Sequence, residues 1–375
     1  MRSPSLATRS PWTWLLAGAL YVGANLALPR TDLFWIAPAT AAWIPGSIPG
    51  QAFVQTYEAL QKVEHPRREA AVRVALLGNS RLWFGAPDWV VERELQSLRP
   101  GLDIRVDNLA FFGARIGDLE MVSRNLSRSD PQLVVIALGG SELVPTDWST
   151  LVNSTGRSFD VGWAEGPLPS TWHERAGRWL GTAFPLLRMR IFARGAIGHR
   201  LFPGPPPQVL PESFASAAEI FAFLYGPLGA QMTERYSEWV ESGRLEDFED
   251  YLKVGKRLRS EPLPALEALD AQGPGAAALG ALLARLGAEG RRVVVLLMPD
   301  NPVLEQDLAG RFSRAGFRDR AAQVIGEVAA RERARVVDGA GWLRPEDFLD
   351  FHHPLPEVGG LQRPLAQEIL RELDI

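Results

Sequence analysis

A serine near position 80 follows an apolar run, in a setting that suits a nucleophile. In the stretch ALLGNSRLWFG, residues 75–85, Ser80 comes after Gly78 and Asn79 and before the first predicted helix. The carboxyl end of a strand in an open α/β sheet is where such folds bind ligands. Asn and Ser are also common helix caps. Ser80 is therefore either a nucleophile or a capping residue, and the rest of the chain must supply a base and oxyanion donors if it is the former.

A candidate base lies near the C-terminus. In EDFLDFHHPLPEVGG, residues 346–360, Asp350 precedes His353 by three positions. A neutral imidazole can take the proton of a serine hydroxyl, while a carboxylate on its other nitrogen fixes the tautomer and stabilises the imidazolium. The chain has five histidines and no cysteine, which excludes thiol catalysis, disulfides and cysteine metal sites. These residues predict acyl-transfer chemistry rather than a metal centre.

Two further loops could supply oxyanion donors. Gly113 lies in NLAFFGARIGD, residues 108–118, and a glycine allows the backbone to approach a ligand closely and donate an N–H. In IALGGSELVP, residues 136–145, Ser141 follows two glycines at a strand end and could donate from its hydroxyl. Helix capping is the alternative for Ser141. Each loop is weak evidence alone.

Five β-rich runs precede these loops and must position them: residues 72–78, 103–110, 132–140, 291–299 and 334–339. They are continuously apolar, as expected for parallel strands covered on both faces. Helical patterns separate them, at residues 87–98, 117–128, 275–290, 320–334 and 361–373. The alternation predicts an α/β fold with a mainly parallel sheet, which would gather the four loops at one edge.

The order of these four blocks resembles the SGNH (GDSL-like) hydrolase superfamily, from residue 72 to the C-terminus outside one insertion. The resemblance implies a three-layer, flavodoxin-like fold with a parallel five-stranded sheet. It also implies that Ser80 is the nucleophile and an oxyanion donor, that Gly113 is a second donor, and that His353 and Asp350 are the base and its orienting acid. His353-Pro354, with Gly359 a few residues on, is similar to the family's last block.

The chain departs from the family pattern at two points, and a third residue leaves the choice of base open. Asn79 stands where the family usually has Asp, and Ser141 stands where it has the Asn that donates to the oxyanion. Losing one such donor typically costs about 10²–10³ in rate, part of which a serine hydroxyl could restore. His352 is an alternative base, because some membrane-associated members space acid and base two apart. The proline after His353 favours His353.

The N-terminus carries an addressing signal. Arg2 and Arg9 precede a stretch without charge, residues 10–29, that is just long enough for a membrane-spanning helix with the N-terminus in the cytoplasm. A cleaved signal peptide and a buried core helix are the alternatives. The predicted organisation is a membrane anchor or signal segment at 1–30, a juxtamembrane linker at 31–70, the α/β domain at 71–147 and 263–375, and a helical insertion or cap at 148–262.

An anchor joined to such a domain resembles accessory proteins of cell-surface polysaccharide O-acetylation and teichoic-acid D-alanylation. That resemblance implies a periplasmic domain, or a secreted one if the N-terminus is cleaved, working beside a membrane-bound O-acyltransferase. The formal net charge of −4 gives no reason to expect nucleic-acid binding, and the predicted chemistry needs no cofactor. The first hypothesis is a serine esterase or O-acyltransferase acting on acyl esters of envelope glycans. The alternatives are a catalytically degenerate SGNH fold that binds a glycan or a partner, and a structural envelope protein whose motifs match by chance.

Overall fold

The computed structural model describes eleven parts of the chain. They are residues 11–27, 59, 62–63, 69–111, 113–124, 126–143, 241–242, 269–302, 314–348, 352–356 and 360–375. The chain forms two compact units. One comprises residues Met1–Pro45 and Thr155–Pro207, and the other comprises residues Gly46–Ser154 and Gln208–Ile375. The sheet and the four candidate loops belong to the second unit.

The second unit is built on a five-stranded sheet in which each neighbouring pair of strands is parallel. Its strands are β1 (Val72–Leu77), β2 (Ile104–Asn108), β3 (Leu133–Leu138), β4 (Arg292–Leu297) and β5 (Arg335–Asp338). The spatial order is β2-β1-β3-β4-β5, which is the order of flavodoxin-like doubly wound folds. The five predicted strands and the parallel sheet are confirmed. The order reverses between β1 and β3, and ligands bind outside the strand ends at such a switch point.

The strands form because their β-branched and aliphatic side chains can be buried on both faces of the sheet. All six residues of β3 are buried. Alternate residues face opposite sides, so that Val74 and Leu76 of β1 join one apolar cluster while Ala75 and Leu77 face the other way. Burying the side chain of one Leu or Val stabilises the fold by about 1.5–3 kcal/mol.

Helices cover both faces of this sheet. They are α2 (Ser80–Gly85), α3 (Asp88–Leu98), α4 (Ile116–Ser123), α5 (Leu126–Ser129), α6 (Pro274–Ala288), α7 (Arg314–Arg331) and α8 (Gln362–Leu373). Helices α3 and α8 pack together on one face, whereas α6 contacts α4, α7 and β4 on the other. The predicted helices are confirmed with shifted ends, since α7 begins before residue 320 and the 117–128 pattern divides into α4 and α5. Helix α2 was not predicted as an element separate from α3.

The N-terminal apolar stretch forms a helix, α1 (Pro11–Ala27), of 17 residues. Its apolar side chains are largely exposed, among them Trp12, Leu16 and Leu20. In the described part of the chain, no helix has both the length and the hydropathy needed to cross a membrane. Apart from residues 241 and 242, the predicted insertion at 148–262 lies outside the described residues, as does the linker at 31–70 except for residues 59, 62, 63, 69 and 70.

Candidate active site

The turn after β1 decides whether Ser80 is the helix cap. Asn79 is the N-cap of α2: its side-chain Oδ1 accepts a hydrogen bond from the Arg81 N–H at 2.9 Å. The Asn79 carbonyl accepts from the N–H groups of Leu82 at 3.1 Å and Trp83 at 3.0 Å. Ser80 is the first residue of the helix. Because Asn79 performs the capping, the hydroxyl of Ser80 is left for another contact.

That contact is with His353. The distance between His353 Nε2 and Ser80 Oγ is 3.0 Å, across 273 positions of sequence. Both side chains are almost removed from solvent, at 8% exposure for Ser80 and 7% for His353. The ring of Phe84, one turn along α2 from Ser80, meets the imidazole edge-on. In the neutral tautomer with hydrogen on Nδ1, Nε2 accepts from the serine hydroxyl, which is the geometry of a nucleophile and its base.

The loop that carries His353 is closed at its base. Phe348 and Pro354 form an antiparallel bridge, and the Leu355 N–H donates to Asp347 O at 2.8 Å. Pro354 also packs directly on α2, since a β-carbon placed on Gly85 would lie 2.9 Å from Pro354 Cβ. Only glycine allows this approach.

A buried glutamine fastens this loop to the serine helix. Gln362, the first residue of α8, donates from Nε2 to Gly85 O at 2.6 Å and Pro356 O at 2.7 Å, and to Leu355 O at 3.1 Å. The C-terminal end of α2 and the loop after His353 therefore share one donor. This residue was not predicted from the sequence, because a single glutamine in a helical pattern carries no signal of its partners.

The structure describes only some of the other residues that the sequence predicts for the site. Asp350, predicted as the orienting acid, lies outside the described residues, as does Gly359. His352, the alternative base, lies beside His353 with the two ring centroids 4.0 Å apart. The nitrogen that contacts Ser80 Oγ belongs to His353.

Gly113 lies in the loop after β2 and adopts the left-handed conformation, with φ of +67°. This loop continues the sheet pairing beyond the strand end, because the Phe111 N–H donates to Gly78 O at 3.2 Å. Asn108 at the end of β2 donates from Nδ2 to Ala86 O at 2.8 Å and Leu82 O at 3.1 Å, which ties α2 to β2. The structure therefore brings the glycine loop beside the serine turn.

Ser141 begins a short 3₁₀ helix, Ser141–Leu143, directly after β3. Its side chain is exposed, in contrast to the buried Glu142 that follows it. The Ser141 carbonyl accepts from Nη1 of Arg115 at 2.5 Å, and Arg115 is the N-cap residue of α4. The loops after β2 and β3 are thus joined at the sheet's switch point. A hydroxyl here can donate one hydrogen bond.

Sequence reasoning assigned no role to Arg81 and Glu142, which the structure places inside the site. Arg81 is buried; its guanidinium donates to Pro299 O and forms an ion pair with Asp300 at 3.0 Å. This guanidinium occupies the space that a side chain on Gly139 would need. The serine turn is therefore attached to the end of β4 as well as to β3. The only sequence signal was the adjacency of Arg81 to Ser80.

One carboxyl of the same half of the sheet has a shifted pKa. Burial raises the pKa of Asp107 above its ordinary value, and the attraction of Arg105 and Lys62 only partly offsets this. Arg105 Nε donates to Asp107 Oδ2 at 3.0 Å along the same strand. Both residues lie in β2, and Asp107 directly precedes the Asn108 that bonds to α2.

Comparisons with known proteins find structural neighbours alone. No protein-family profile matches the chain, and no curated protein sequence matches it. The solved acetylxylan esterase Axe2 from Geobacillus stearothermophilus aligns with 14% identity and a TM-score of 0.38, over 82% of this chain and 95% of that one. LAE5, an alpha/beta hydrolase enzyme from the metagenome of Lake Arreo, Spain, aligns with 12% identity and a TM-score of 0.36, over 82% and 97%. A likeness with scores this low does not determine what the chain does; its own residues must.

Proposed function

We propose that the chain is a serine esterase or O-acyltransferase that uses Ser80 as nucleophile and His353 as general base. The observation that carries the proposal is the buried 3.0 Å contact between Ser80 Oγ and His353 Nε2, made while Asn79 performs the capping. A serine that acted only as a helix cap would hydrogen-bond to its own helix. A histidine that acted only in core packing would not need to contact the serine hydroxyl. Asp350 is assigned as the acid that orients His353, on the basis of its three-residue spacing.

The reaction follows from these roles. Ser80 Oγ attacks the acyl carbonyl carbon while its proton passes to His353 Nε2. The tetrahedral intermediate collapses with cleavage of the ester C–O bond, and the imidazolium returns the proton to the departing alcohol. Water or a sugar hydroxyl then attacks the acyl-serine carbonyl and loses its proton to His353. The second tetrahedral intermediate collapses with cleavage of the bond between the carbonyl carbon and Ser80 Oγ, and the imidazolium returns the proton to Ser80 Oγ. The first acceptor makes the protein an esterase and the second a transferase.

The negative oxygen of the tetrahedral intermediate needs hydrogen-bond donors. Asn79 takes the N–H groups of Arg81, Leu82 and Trp83 but not that of Ser80, which we assign as the first donor. The N–H of Gly113 and the hydroxyl of Ser141 complete the proposed set. Each such donor contributes about 2.7–4 kcal/mol to transition-state stabilisation.

Acyl esters of cell-envelope glycans are the proposed substrates. This part of the proposal rests on the resemblance of the four sequence blocks and of the anchored architecture. It is tested by comparing acetate release from O-acetylated glycans with release from p-nitrophenyl acetate, in wild type and in Ser80→Ala. Loss of both activities in Ser80→Ala, with the glycan preferred by the wild type, is the expected result.

Covalent labelling tests the nucleophile directly. The full-length protein is treated with a fluorophosphonate and its intact mass is measured beside Ser80→Ala and Ser129→Ala. Ser129 is a matched control, because it is also buried but bonds to Leu126 O within its own helix. We expect one adduct in the wild type and in Ser129→Ala, and none in Ser80→Ala. An adduct that survives in Ser80→Ala contradicts the assignment.

The second candidate is a degenerate SGNH fold that binds a glycan or a protein partner. Ser141 favours it, since this serine replaces the family's asparagine donor and its carbonyl is tied to Arg115. In that case a well-folded sample forms no adduct, yet binds O-acetylated glycan with an affinity that Ser80→Ala leaves unchanged.

We propose that α1 holds the protein at the outer face of the cytoplasmic membrane, beside a membrane-bound O-acyltransferase. Two arginines ahead of the helix and its exposed apolar side chains support this location. Fractionation of cells that express the full chain, followed by an alkaline carbonate wash, tests it. Retention in the membrane pellet is expected, whereas appearance of a shortened chain in the medium supports the cleaved signal peptide instead.

A further inference from the structure

A buried carboxylate connects the serine turn to the end of β3. Glu142 is 2% exposed, and its Oε2 accepts from the Gly139 N–H at 2.9 Å. Its other oxygen, Oε1, accepts from the side-chain Nδ2 of Asn79. Ordinary esterase chemistry does not require a further acid next to the nucleophile, besides the one that orients the base. The proposed reaction assigns no role to Glu142.

The Asn79 amide is held in one orientation because each of its ends has a different partner. Its Oδ1 accepts from the Arg81 N–H on the α2 side, while Nδ2 donates to Glu142 on the β3 side. Turning the amide over would place an N–H donor against the Arg81 donor and an oxygen against the carboxylate. Asn79 and Arg81 flank Ser80 on either side in the chain. The amide therefore links the first turn of α2, which contains Ser80, to the carboxylate that follows β3.

Only a carboxylate satisfies both of the donors that converge at position 142. An ionised carboxylate has two acceptor oxygens and no donor, so it can accept from Asn79 Nδ2 and from Gly139 N together. A glutamine would bring its own NH₂ group against one of them. Because the site is buried, such a mismatch costs the desolvation of an unsatisfied polar group.

We propose that Glu142 is a positioning residue for the nucleophile: through Asn79 it holds the turn in which Ser80 Oγ meets His353 Nε2. The inference rests on the proposed function and deepens it. Glu142 hydrogen-bonds to Asn79 and Gly139, and acts by fixing the Asn79 amide. It also explains the pairing of residues at these two positions, where an amide at 79 requires an acceptor-only side chain at 142.

A reversal of the pair tests this directly in the full-length protein. Glu142→Gln leaves donor facing donor, and Asn79→Asp leaves carboxylate facing carboxylate. In the double variant Asn79→Asp/Glu142→Gln, Asp accepts from the Arg81 N–H and from the Gln NH₂, and Gln accepts from Gly139 N. We expect each single variant to lower the rate constant for fluorophosphonate labelling about tenfold, and the double variant to recover to within about threefold of wild type.

The pH profile separates positioning from a loss of stability. In Asn79→Asp, protonation of one of the two facing carboxyls restores a donor between positions 79 and 142. The labelling rate of this variant, divided by that of wild type at the same pH, should therefore rise as the pH is lowered from 8 to 5. Dividing by the wild-type rate removes the pH dependence that the two proteins share. For the double variant the ratio should stay flat.

Several outcomes overturn the inference. Folded single variants that label at the wild-type rate contradict the inference. A folded double variant that labels as slowly as the single variants contradicts it as well. If the single variants do not fold, the double variant and Asn79→Ser decide. Serine can retain the cap through its hydroxyl oxygen but lacks the amide that reaches Glu142. Asn79→Ser should therefore fold and label slowly. Labelling of Asn79→Ser at the wild-type rate contradicts the inference. Absence of an adduct on the wild type is a different result, because it removes the proposed function itself.

Discussion

The two edges of the sheet carry polar residues in different ways. At the carboxyl edge, where β1–β5 end, several polar side chains are buried and contact specific partners. Ser80 meets His353, Glu142 meets Asn79, and Arg81 meets Asp300. Buried contacts of this kind offset the desolvation of the groups that make them and fix their orientation.

At the amino edge, where the strands begin, ion pairs form around the exposed carboxylate of Asp130. Asp130 lies 3.3 Å from Arg73 and 3.5 Å from Arg291, with 68% of its side chain exposed. Gln132 accepts from the Arg73 N–H at 2.6 Å and donates to Ala71 O at 3.2 Å, also in contact with solvent. Exposed pairs contribute little to stability because water competes for both partners.

The difference shows which polar residues bear on function. A buried polar group costs free energy unless it is fully bonded, so a chain that buries several at one edge gains something other than stability from them. Exposed charges at the other edge carry no such cost. Substitutions at the carboxyl edge should therefore change chemistry, and matched ones at the amino edge should not.

The largest expected effect is that of His353→Ala, measured against His352→Ala. Removing a general base typically lowers the rate by about 10²–10⁴-fold. We expect the rate constant for labelling of His353→Ala to fall by a factor in this range. His352→Ala should stay within about threefold of wild type, because the contact to Ser80 Oγ is made by His353. Labelling kinetics on both variants measure this. A greater loss in His352→Ala would make His352 the base.

Two glutamines give the next comparison, one at each edge. Gln362→Leu removes the donor shared by Gly85 O, Leu355 O and Pro356 O, so the serine helix and the histidine loop separate more easily. We expect a loss of about 1–3 kcal/mol in the free energy of unfolding, and labelling slowed about tenfold. Gln132→Leu at the amino edge should cost less than about 1 kcal/mol and leave labelling unchanged. Urea denaturation and labelling kinetics decide, and equal effects on labelling would contradict the comparison.

The pH dependence of stability should have opposite signs at two carboxyls. Burial raises the pKa of Asp107 above its ordinary value, so the stability that its protonated form contributes is full at low pH and is lost as pH rises through that pKa. Partial burial alone would raise the pKa of Glu289, but hydrogen bonds from Arg291 and Arg285 outweigh it and lower the pKa. Its contribution is therefore present above the unfolded pKa and is lost as pH falls.

Thermal unfolding between pH 3 and 7 measures both signs. The Tm of Asp107→Asn relative to wild type should rise with pH, because only the wild type loses stability as Asp107 ionises. The Tm of Glu289→Gln relative to wild type should fall with pH, because only the wild type gains the Arg291 and Arg285 interactions. Slopes of the same sign for the two variants would show that the pKa values of Asp107 and Glu289 are not shifted in opposite directions.

The fold could largely be predicted from the sequence because its signals are local. Five apolar runs bounded by glycine or polar residues predict strands, and their alternation with helical patterns predicts a parallel sheet. Helix α2 was missed because six residues beginning at Ser80 are too short for a helical period to show, and because Pro87 marks the start of α3 more clearly. The order of the strands in the sheet is not encoded in any local pattern of the sequence.

The candidate site could be predicted only where residue type itself implies chemistry. Ser80 and His353 were predicted because a nucleophile and a base are recognisable types, and the structure places them together. Glu142, Arg81 and Gln362 were not assigned roles, since their importance depends on burial and on partners distant in sequence. Asp130 shows the converse: a charged residue beside a strand has the same appearance in sequence whether it is buried or exposed.

The smallest expected effect is that of Asp130→Asn, which removes a charge from the amino edge. Asparagine is chosen because residue 130 has a φ of +42°, a conformation that Asn and Asp tolerate better than other residues with side chains. The variant loses its ion pairs with Arg73 and Arg291 but keeps its backbone geometry. We expect the free energy of unfolding to change by less than about 0.5 kcal/mol, with labelling at the wild-type rate. A loss above about 1.5 kcal/mol would mean that the exposed pairs act as a network, and that the amino edge resembles the carboxyl edge in energy although it differs from it in burial.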